Sequence, residues 1–195
     1  MKIIGLTGNI GSGKTTVCGM FSEQFNVPIY NADQRAKLLM TQSPLKDLIR
    51  ESFGPKSYNY LKLDTKWLAN EVFNNPDKLE LLNSLVHPAV KVDFEHWCTE
   101  MENEGHSYIL KEAAILFESG SNKLVDKVIL ITAPKKVRIA RTMSRDNASY
   151  KGVKKRIDLQ WSQKKKRKLS DYIINNDGEQ QLEKQIVEVH NQLVL

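Results

Sequence analysis

Residues 5–16 read GLTGNIGSGKTT, directly after the apolar pair Ile3-Ile4. Four glycines fall within nine residues, and a single lysine follows them. Glycine loses more backbone entropy on folding than any other residue, so such a cluster marks an unusual backbone or a close approach by something else. The run from Gly8 to Thr15 is a full match to the phosphate-binding loop G-x-x-x-x-G-K-[ST]. A strand-like run precedes it, and a helix with Val17, Phe21 and Phe25 on one face follows. In that setting backbone N–H groups and the positive end of the helix surround a polyphosphate. Lys14 reaches the β- and γ-phosphates, and the Thr15 hydroxyl ligates Mg²⁺. The nucleotide-binding set is therefore Gly8, Gly11, Ser12, Gly13, Lys14, Thr15 and Thr16, with ATP or GTP as ligand. The plain alternative is a glycine-rich turn that only joins strand to helix.

At 195 residues and 41% hydrophobic, the chain can bury a core and suits one domain, or a domain with an insertion. No apolar stretch approaches the ~20 residues a membrane span requires, and Gly5 interrupts the opening too early for a signal peptide. Cys18 and Cys98 match neither a metal nor a redox spacing, which suits reduced thiols in the cytoplasm. The net charge of +6 is uneven. Residues 135–168 hold fourteen Lys/Arg against Asp146 and Asp158, a local +12, so the remainder carries −6. That marks a surface that handles anions.

Five short apolar runs read as buried strands: Lys2–Thr7, Pro28–Asn31, Ser107–Lys111, Asp126–Thr132 and Asp171–Asn175. Helical patterns separate them, which argues for an α/β domain with a parallel sheet. The roughly 75 residues between the second and third strands read as wholly helical. Ser43-Pro44 reads as an N-cap with proline at the first helical position, and Gly54 as the helix exit. Asn75-Pro76 starts a second helix and Pro88 a third. An insertion this long reads as a subdomain that covers something. The last helix, about Glu179 to Leu193, carries Leu182, Ile186, Val189 and Leu193 at core spacing. KKKRK at 164–168 reads as a solvated helix end, with contact to phosphates or to nucleic acid as the alternatives.

The chain lacks the guanine-reading Asn-Lys-x-Asp of GTPases, and it is short for a motor ATPase. Size, helical insertion and basic segment together suggest a small kinase whose lid brings arginines onto the transferring phosphoryl group. Arg141 and Arg145, four apart on one helix face, read as those lid arginines, Arg145 being also a catalytic candidate. The alternative for both is a solvated helix face.

The stretches LTGNIGSGKTTV, NADQRAKLL, LVHPAV, EAAILFESG, ARTMSRD and DYIINNDG occur in the order and approximate spacing of the dephospho-CoA kinase family, which the chain resembles from end to end. The resemblance implies a P-loop NTPase fold of the nucleoside-monophosphate-kinase type. Its five-stranded parallel sheet has order 2-3-1-4-5, and a helical substrate subdomain and a lid are added. The core would comprise residues 1–32, 106–140 and 169–195, the acceptor-binding insertion 33–105 and the basic lid 141–168. It implies ATP-dependent phosphorylation of the dephospho-CoA 3′-hydroxyl, the last step of coenzyme A synthesis.

By resemblance Asp33, just past the second strand, is the base or orienting acceptor for that hydroxyl; a helix N-cap is the other role open to it. His87 and Pro88 shape the acceptor pocket by resemblance, His87 being otherwise a cap or structural residue. Lys37, one turn past Asp33, is placed for an acceptor phosphate. Leu116 and Phe117 join the substrate-binding set as packing residues. Glu112, at the end of the third strand, is a candidate to hold a Mg²⁺-bound water, or else a solvated strand end. Four positions depart from the family pattern: Asn31 for an aspartate, Lys37 for an arginine, Ala114 for a proline and Asn9 for a glycine. Dephospho-CoA is thus the expected partner and no membrane is involved; oligomeric state is left open. The rivals are another small-metabolite or nucleoside kinase of the same class, and a basic nucleic-acid-binding regulator using residues 135–168.

Overall fold

Strands form where short β-rich runs are covered on both faces, and helices where apolar residues recur at three and four. The computed structural model describes residues 1–60, 62–73, 75–178 and 181–195. Its elements run β1 (Lys2–Thr7), α1 (Lys14–Phe25), β2 (Ile29–Asn31), α2 (Ala32–Leu39), α3 (Leu45–Phe53), β3 (Tyr58–Asn59), β4 (Lys62–Leu63), α4 (Thr65–Phe73) and α5 (Pro76–Asn103). They continue β5 (Tyr108–Glu112), β6 (Lys127–Thr132), α6 (Lys135–Asp146), α7 (Tyr150–Asp158), α8 (Gln163–Arg167), β7 (Tyr172–Asn175) and α9 (Leu182–Val194). The chain divides into two units, residues 1–31 with 101–195, and residues 32–100. None of the described helices is long and apolar enough to cross a membrane.

The first unit holds a parallel sheet of order β2-β5-β1-β6-β7. Numbering only the strands of this sheet, that is the expected 2-3-1-4-5. Strand β1 lies between β5 and β6, so the chain leaves it toward one edge and later crosses back to the other. The loop after β1 therefore sits where strand order reverses, the place at which open α/β sheets bind ligands. Ile4, Leu6, Leu110, Ile129, Ile131 and Ile174 form the core with Val17 and Phe21 of α1 and Ile186, Val189 and Leu193 of α9. Each such side chain, fully buried, is worth about 1.5–3 kcal/mol in transfer from water. The expected start of α9 at Glu179 lies outside the described residues.

The second unit packs Leu45, Ile49, Tyr58 and Val86 with Leu39, Phe53, Leu82, Leu85 and Val90. It departs from the expected all-helical reading in three ways. Tyr58 pairs with Leu63 and Asn59 with Lys62 in a small antiparallel ribbon, and the Tyr58 hydroxyl donates to the Met40 carbonyl at 2.6 Å. Ser43 does not cap α3; Pro44 occupies that place, and its carbonyl accepts the Asp47 and Leu48 N–H groups. Pro88 starts no helix but lies inside the continuous α5. Leu82, Leu85, Val86, Ala89 and Val90 face one cluster across it. Their burial outweighs the roughly 3 kcal/mol an interior proline costs.

Candidate functional site

The glycines are demanded first by the protein itself. Gly11 and Gly13 have φ of 77° and 91°, a region costly for any residue with a Cβ. A Cβ on Gly8 would lie 2.5 Å from the Ile131 carbonyl oxygen, one on Gly11 2.3 Å from the Arg138 oxygen, and one on Gly13 2.0 Å from Asn176 Nδ2. The loop is thus pressed against β6, α6 and the turn after β7. Lys14 Nζ donates to the Gly8 carbonyl at 3.1 Å, bending the ammonium back over the loop. No acidic residue stands in the first turn of α1, so the helix supplies no anion of its own to its positive end.

A cleft of about 660 Å³ opens over this loop, lined by Gly11, Gly13, Lys14, Thr15, Thr16, Ala140, Arg141, Ser144 and Arg145. Two stretches 130 residues apart in the chain therefore meet, with cations on both sides. Gly8 and Ser12 do not line it; Ser12 is fully buried, and its N–H is committed to the Asn9 carbonyl at 3.0 Å. Those two shape the loop from beneath. Arg141 donates to the Asn176 carbonyl at 2.9 Å, and Asn176 Nδ2 donates to the Ser12 carbonyl at 3.0 Å. Asn176 thus joins the loop to an arginine, a role no local motif announces. Arg145 pairs with Asp146 at 2.7 Å, which also accepts from Arg156 at 2.6 Å. Those two guanidinium groups hold the Asp146 carboxyl well below the usual carboxylate range.

Glu112 is 6% exposed, sits opposite Leu6 in β1, and accepts from Asn31 Nδ2 at 2.6 Å. It is therefore a buried strand end, not a solvated one. The Cys18 thiol feels both Glu112 and Lys14, but burial is the main cause of its raised pKa. The Thr15 hydroxyl and the Glu112 carboxylate are hard oxygen donors, of the kind that suits a hard divalent cation. Among the described residues no group of three or more His, Cys, Asp and Glu is arranged to hold a metal. A magnesium ion here would take most ligands from phosphates and water.

The remaining expected residues are not among those lining the cleft. Leu116 is fully buried, its Cδ2 only 2.7 Å from where a Cβ on Gly5 would stand, so it belongs to the sheet's packing and not to an acceptor surface. Phe117 is 5% exposed and stacks on Trp161. Lys166, expected in solvent, has no exposed surface and pairs with Glu118 at 2.9 Å and the Ala114 carbonyl at 2.9 Å. Arg138 is likewise buried, donating Nε to the Ala133 carbonyl. Two of the fourteen cations are thus structural. In the second unit Asp33 stands exposed in the first turn of α2, Lys37 is exposed one turn later, and His87 and Pro88 are exposed midway along α5.

The sequence profile of the dephospho-CoA kinase family matches residues 2–181. The chain belongs to the dephospho-CoA kinase family. It is 37% identical over 201 residues to the dephospho-CoA kinase of Chlorobaculum tepidum, covering 98% of this chain and 95% of that protein. The Salinibacter ruber dephospho-CoA kinase is 39% identical over 180 residues, covering 91% and 90%. The crystal structure of TT1252 from Thermus thermophilus superposes with a TM-score of 0.87 at 27% identity, covering 100% of this chain and 98% of that one. The fold is that of the P-loop kinases, shared with a shikimate kinase from Bacteroides thetaiotaomicron at a TM-score of 0.52 and 18% identity. The departures from the dephospho-CoA kinase pattern have definite places. Asn31 serves Glu112, Ala114 offers its carbonyl to Lys166, Lys37 is exposed, and Asn9 is buried with Nδ2 bonded to the Trp161 carbonyl at 2.9 Å.

Proposed function

We propose that this protein transfers the γ-phosphoryl group of ATP to the 3′-hydroxyl of dephospho-CoA, giving CoA and ADP, in the cytoplasm. The observation that carries this reading is the cleft in which Gly11, Gly13, Lys14, Thr15 and Thr16 face Arg141 and Arg145. Phosphoryl transfer asks a protein for positioning and charge neutralisation more than for covalent chemistry. The loop amides and Lys14 hold the β- and γ-phosphates in line with the acceptor oxygen. Arg141 and Arg145, at the start of a basic lid spanning 141–168, meet the charge on the transferring group; Arg145 exchanges Asp146 for phosphate as it does so. Asp33 orients the 3′-hydroxyl and accepts its proton. Lys37, His87 and Pro88, in the helical insertion 33–105, bind the acceptor. Thr15, and Glu112 through water, would hold Mg²⁺, which when bound neutralises charge on the β- and γ-oxygens. Lid closure excludes the water that would otherwise hydrolyse ATP.

The test is ADP release with dephospho-CoA, adenosine, AMP, pantothenate or no acceptor, each with magnesium. Dephospho-CoA should give turnover far above the rest. Equal rates with dephospho-CoA and with water alone would overturn the reading.

A further inference from the structure

The first half of the glycine loop is tied to residues outside its motif. Asn9, 3% exposed, donates Nδ2 to the Trp161 carbonyl at 2.9 Å, and the Ile10 N–H donates to Gln160 Oε1 at 2.9 Å. Gln160 and Trp161 follow α7 and are themselves pinned. The Trp161 N–H donates to Glu118 Oε1 at 2.8 Å, and the Phe117 and Trp161 rings stack with centroids 6.5 Å apart and planes 2° off parallel. Lys165 Nζ lies 3.1 Å from the Trp161 ring centroid, and buried Lys166 holds Glu118. A continuous run of contacts thus joins the loop, residues 160–166 and the turn after β5.

We propose that Asn9 and Gln160 are positioning residues for nucleotide binding, holding the glycine loop in its binding conformation before the nucleotide arrives and tying residues 160–161 to it. This rests on the nucleotide-binding reading of the loop and deepens it. A loop with glycines at 8, 11 and 13 has many conformations open to it. Whatever ordering binding must impose is subtracted from affinity. Gln160 fixes the Ile10 amide, and Asn9 fixes its neighbour through a carbonyl 152 residues along the chain. The same loop geometry serves ground and transition states, so this ordering acts on KM for ATP and not on kcat.

Three variants test it: Gln160→Met, which keeps length but removes the acceptor; Gln160→Glu, which keeps the acceptor; and Asn9→Ala, which removes the amide without adding bulk or a further glycine. Each is titrated with ATP by calorimetry and assayed for ADP release at saturating dephospho-CoA. Gln160→Met and Asn9→Ala each remove one good hydrogen bond and the longer 3.5 Å contact between Asn9 Nδ2 and Gln160 Oε1, so they should weaken ATP binding and raise KM for ATP about three- to tenfold, with kcat within about twofold. Gln160→Glu should stay within about twofold of the parent protein in both at high salt, where its added charge is screened. The double variant should lose less than the product of the single losses, because both bonds restrain one segment. Lower melting temperatures with parental ATP affinity would overturn the proposal, as would identical behaviour of the Met and Glu variants. Should Gln160→Met not fold, Asn9→Ala decides by the same split. Absence of ATP uptake by the parent protein itself would overturn the nucleotide reading and this inference with it.

Discussion

Asn31 donates its side-chain amide to Glu112 Oε2 at 2.6 Å, and the two are register partners across β2 and β5. The amide satisfies a buried carboxylate without adding charge. Asn31→Asp would set two carboxylates face to face, and one of them would keep a proton because like charges so close cannot both ionise. An acid whose pKa is raised on folding binds more protons folded than unfolded, so its contribution to stability is present at low pH and lost as pH rises. The variant should melt near the parent temperature at pH 5. At pH 8 it should lose about 1–2 kcal/mol, roughly 2–8 °C for a chain of this size. Calorimetry at the two pH values checks this, and an equal deficit at both would refute the shared proton.

Lys166 and Glu118 form a pair with no exposed lysine surface. Removing one partner of a buried pair strands the other, at about 3–5 kcal/mol. Lys166→Met should therefore cost that much. Lys166→Met with Glu118→Gln should recover most of it, since the glutamine oxygen still accepts the Trp161 N–H. Burial is the larger influence on Lys166 and lowers its pKa; the Glu118 bond opposes it. With the folded pKa below the unfolded one, the unfolded chain binds more protons in that window. Stability from this group thus rises with pH up to the ordinary lysine range, and the methionine variant should lose that rise. Urea titrations across alkaline pH measure it.

What the sequence makes legible is what is local. The loop from Gly8 to Thr15, the helix face of Val17 and Phe21, and each strand of the main sheet to within a residue or two all rest on neighbours in the chain. Pro88 misleads because a proline signals a helix start locally, whereas the decision falls to a cluster drawn from α2, α3 and α5. Lys166 misleads in the same way: KKKRK reads as solvent-facing until Glu118, 48 residues earlier, and the Ala114 carbonyl are brought beneath it. Asn176 had one available sign, its place at the carboxyl end of a parallel strand, but nothing in its own stretch says that it touches Ser12 and Arg141.

Gly13 and Asn176 contest one space, for the Gly13 Cβ position lies 2.0 Å from Asn176 Nδ2. Gly13→Ala should lose stability through both this clash and its φ of 91°, the second alone costing about 1–2 kcal/mol. Adding Asn176→Ala removes the clash but not the strain, so the double variant should regain part of the melting temperature and no more. Asn176→Ala alone keeps the backbone carbonyl that Arg141 uses and loses the bond to Ser12. It should weaken ATP binding by about tenfold or less. Full recovery in the double variant would mean that the backbone at residue 13 is unstrained.

Lys14 and Asp33 separate binding from chemistry under the proposed mechanism. Lys14 is the cation within the glycine loop itself, and Lys14→Ala should reduce turnover by at least about 10²–10³-fold, the scale of a lost charge-stabilising donor. Asp33→Asn keeps shape and hydrogen-bonding reach but cannot take a proton. ATP affinity by calorimetry should hold within about twofold, whereas kcat should fall about 10²-fold or more, the scale of lost general-base assistance. A uniform loss of ATP binding in Asp33→Asn would instead place that carboxylate with the nucleotide. An unchanged kcat would leave Asp33 as a favourable charge in the first turn of α2, where the helix dipole alone is reason enough for an acid.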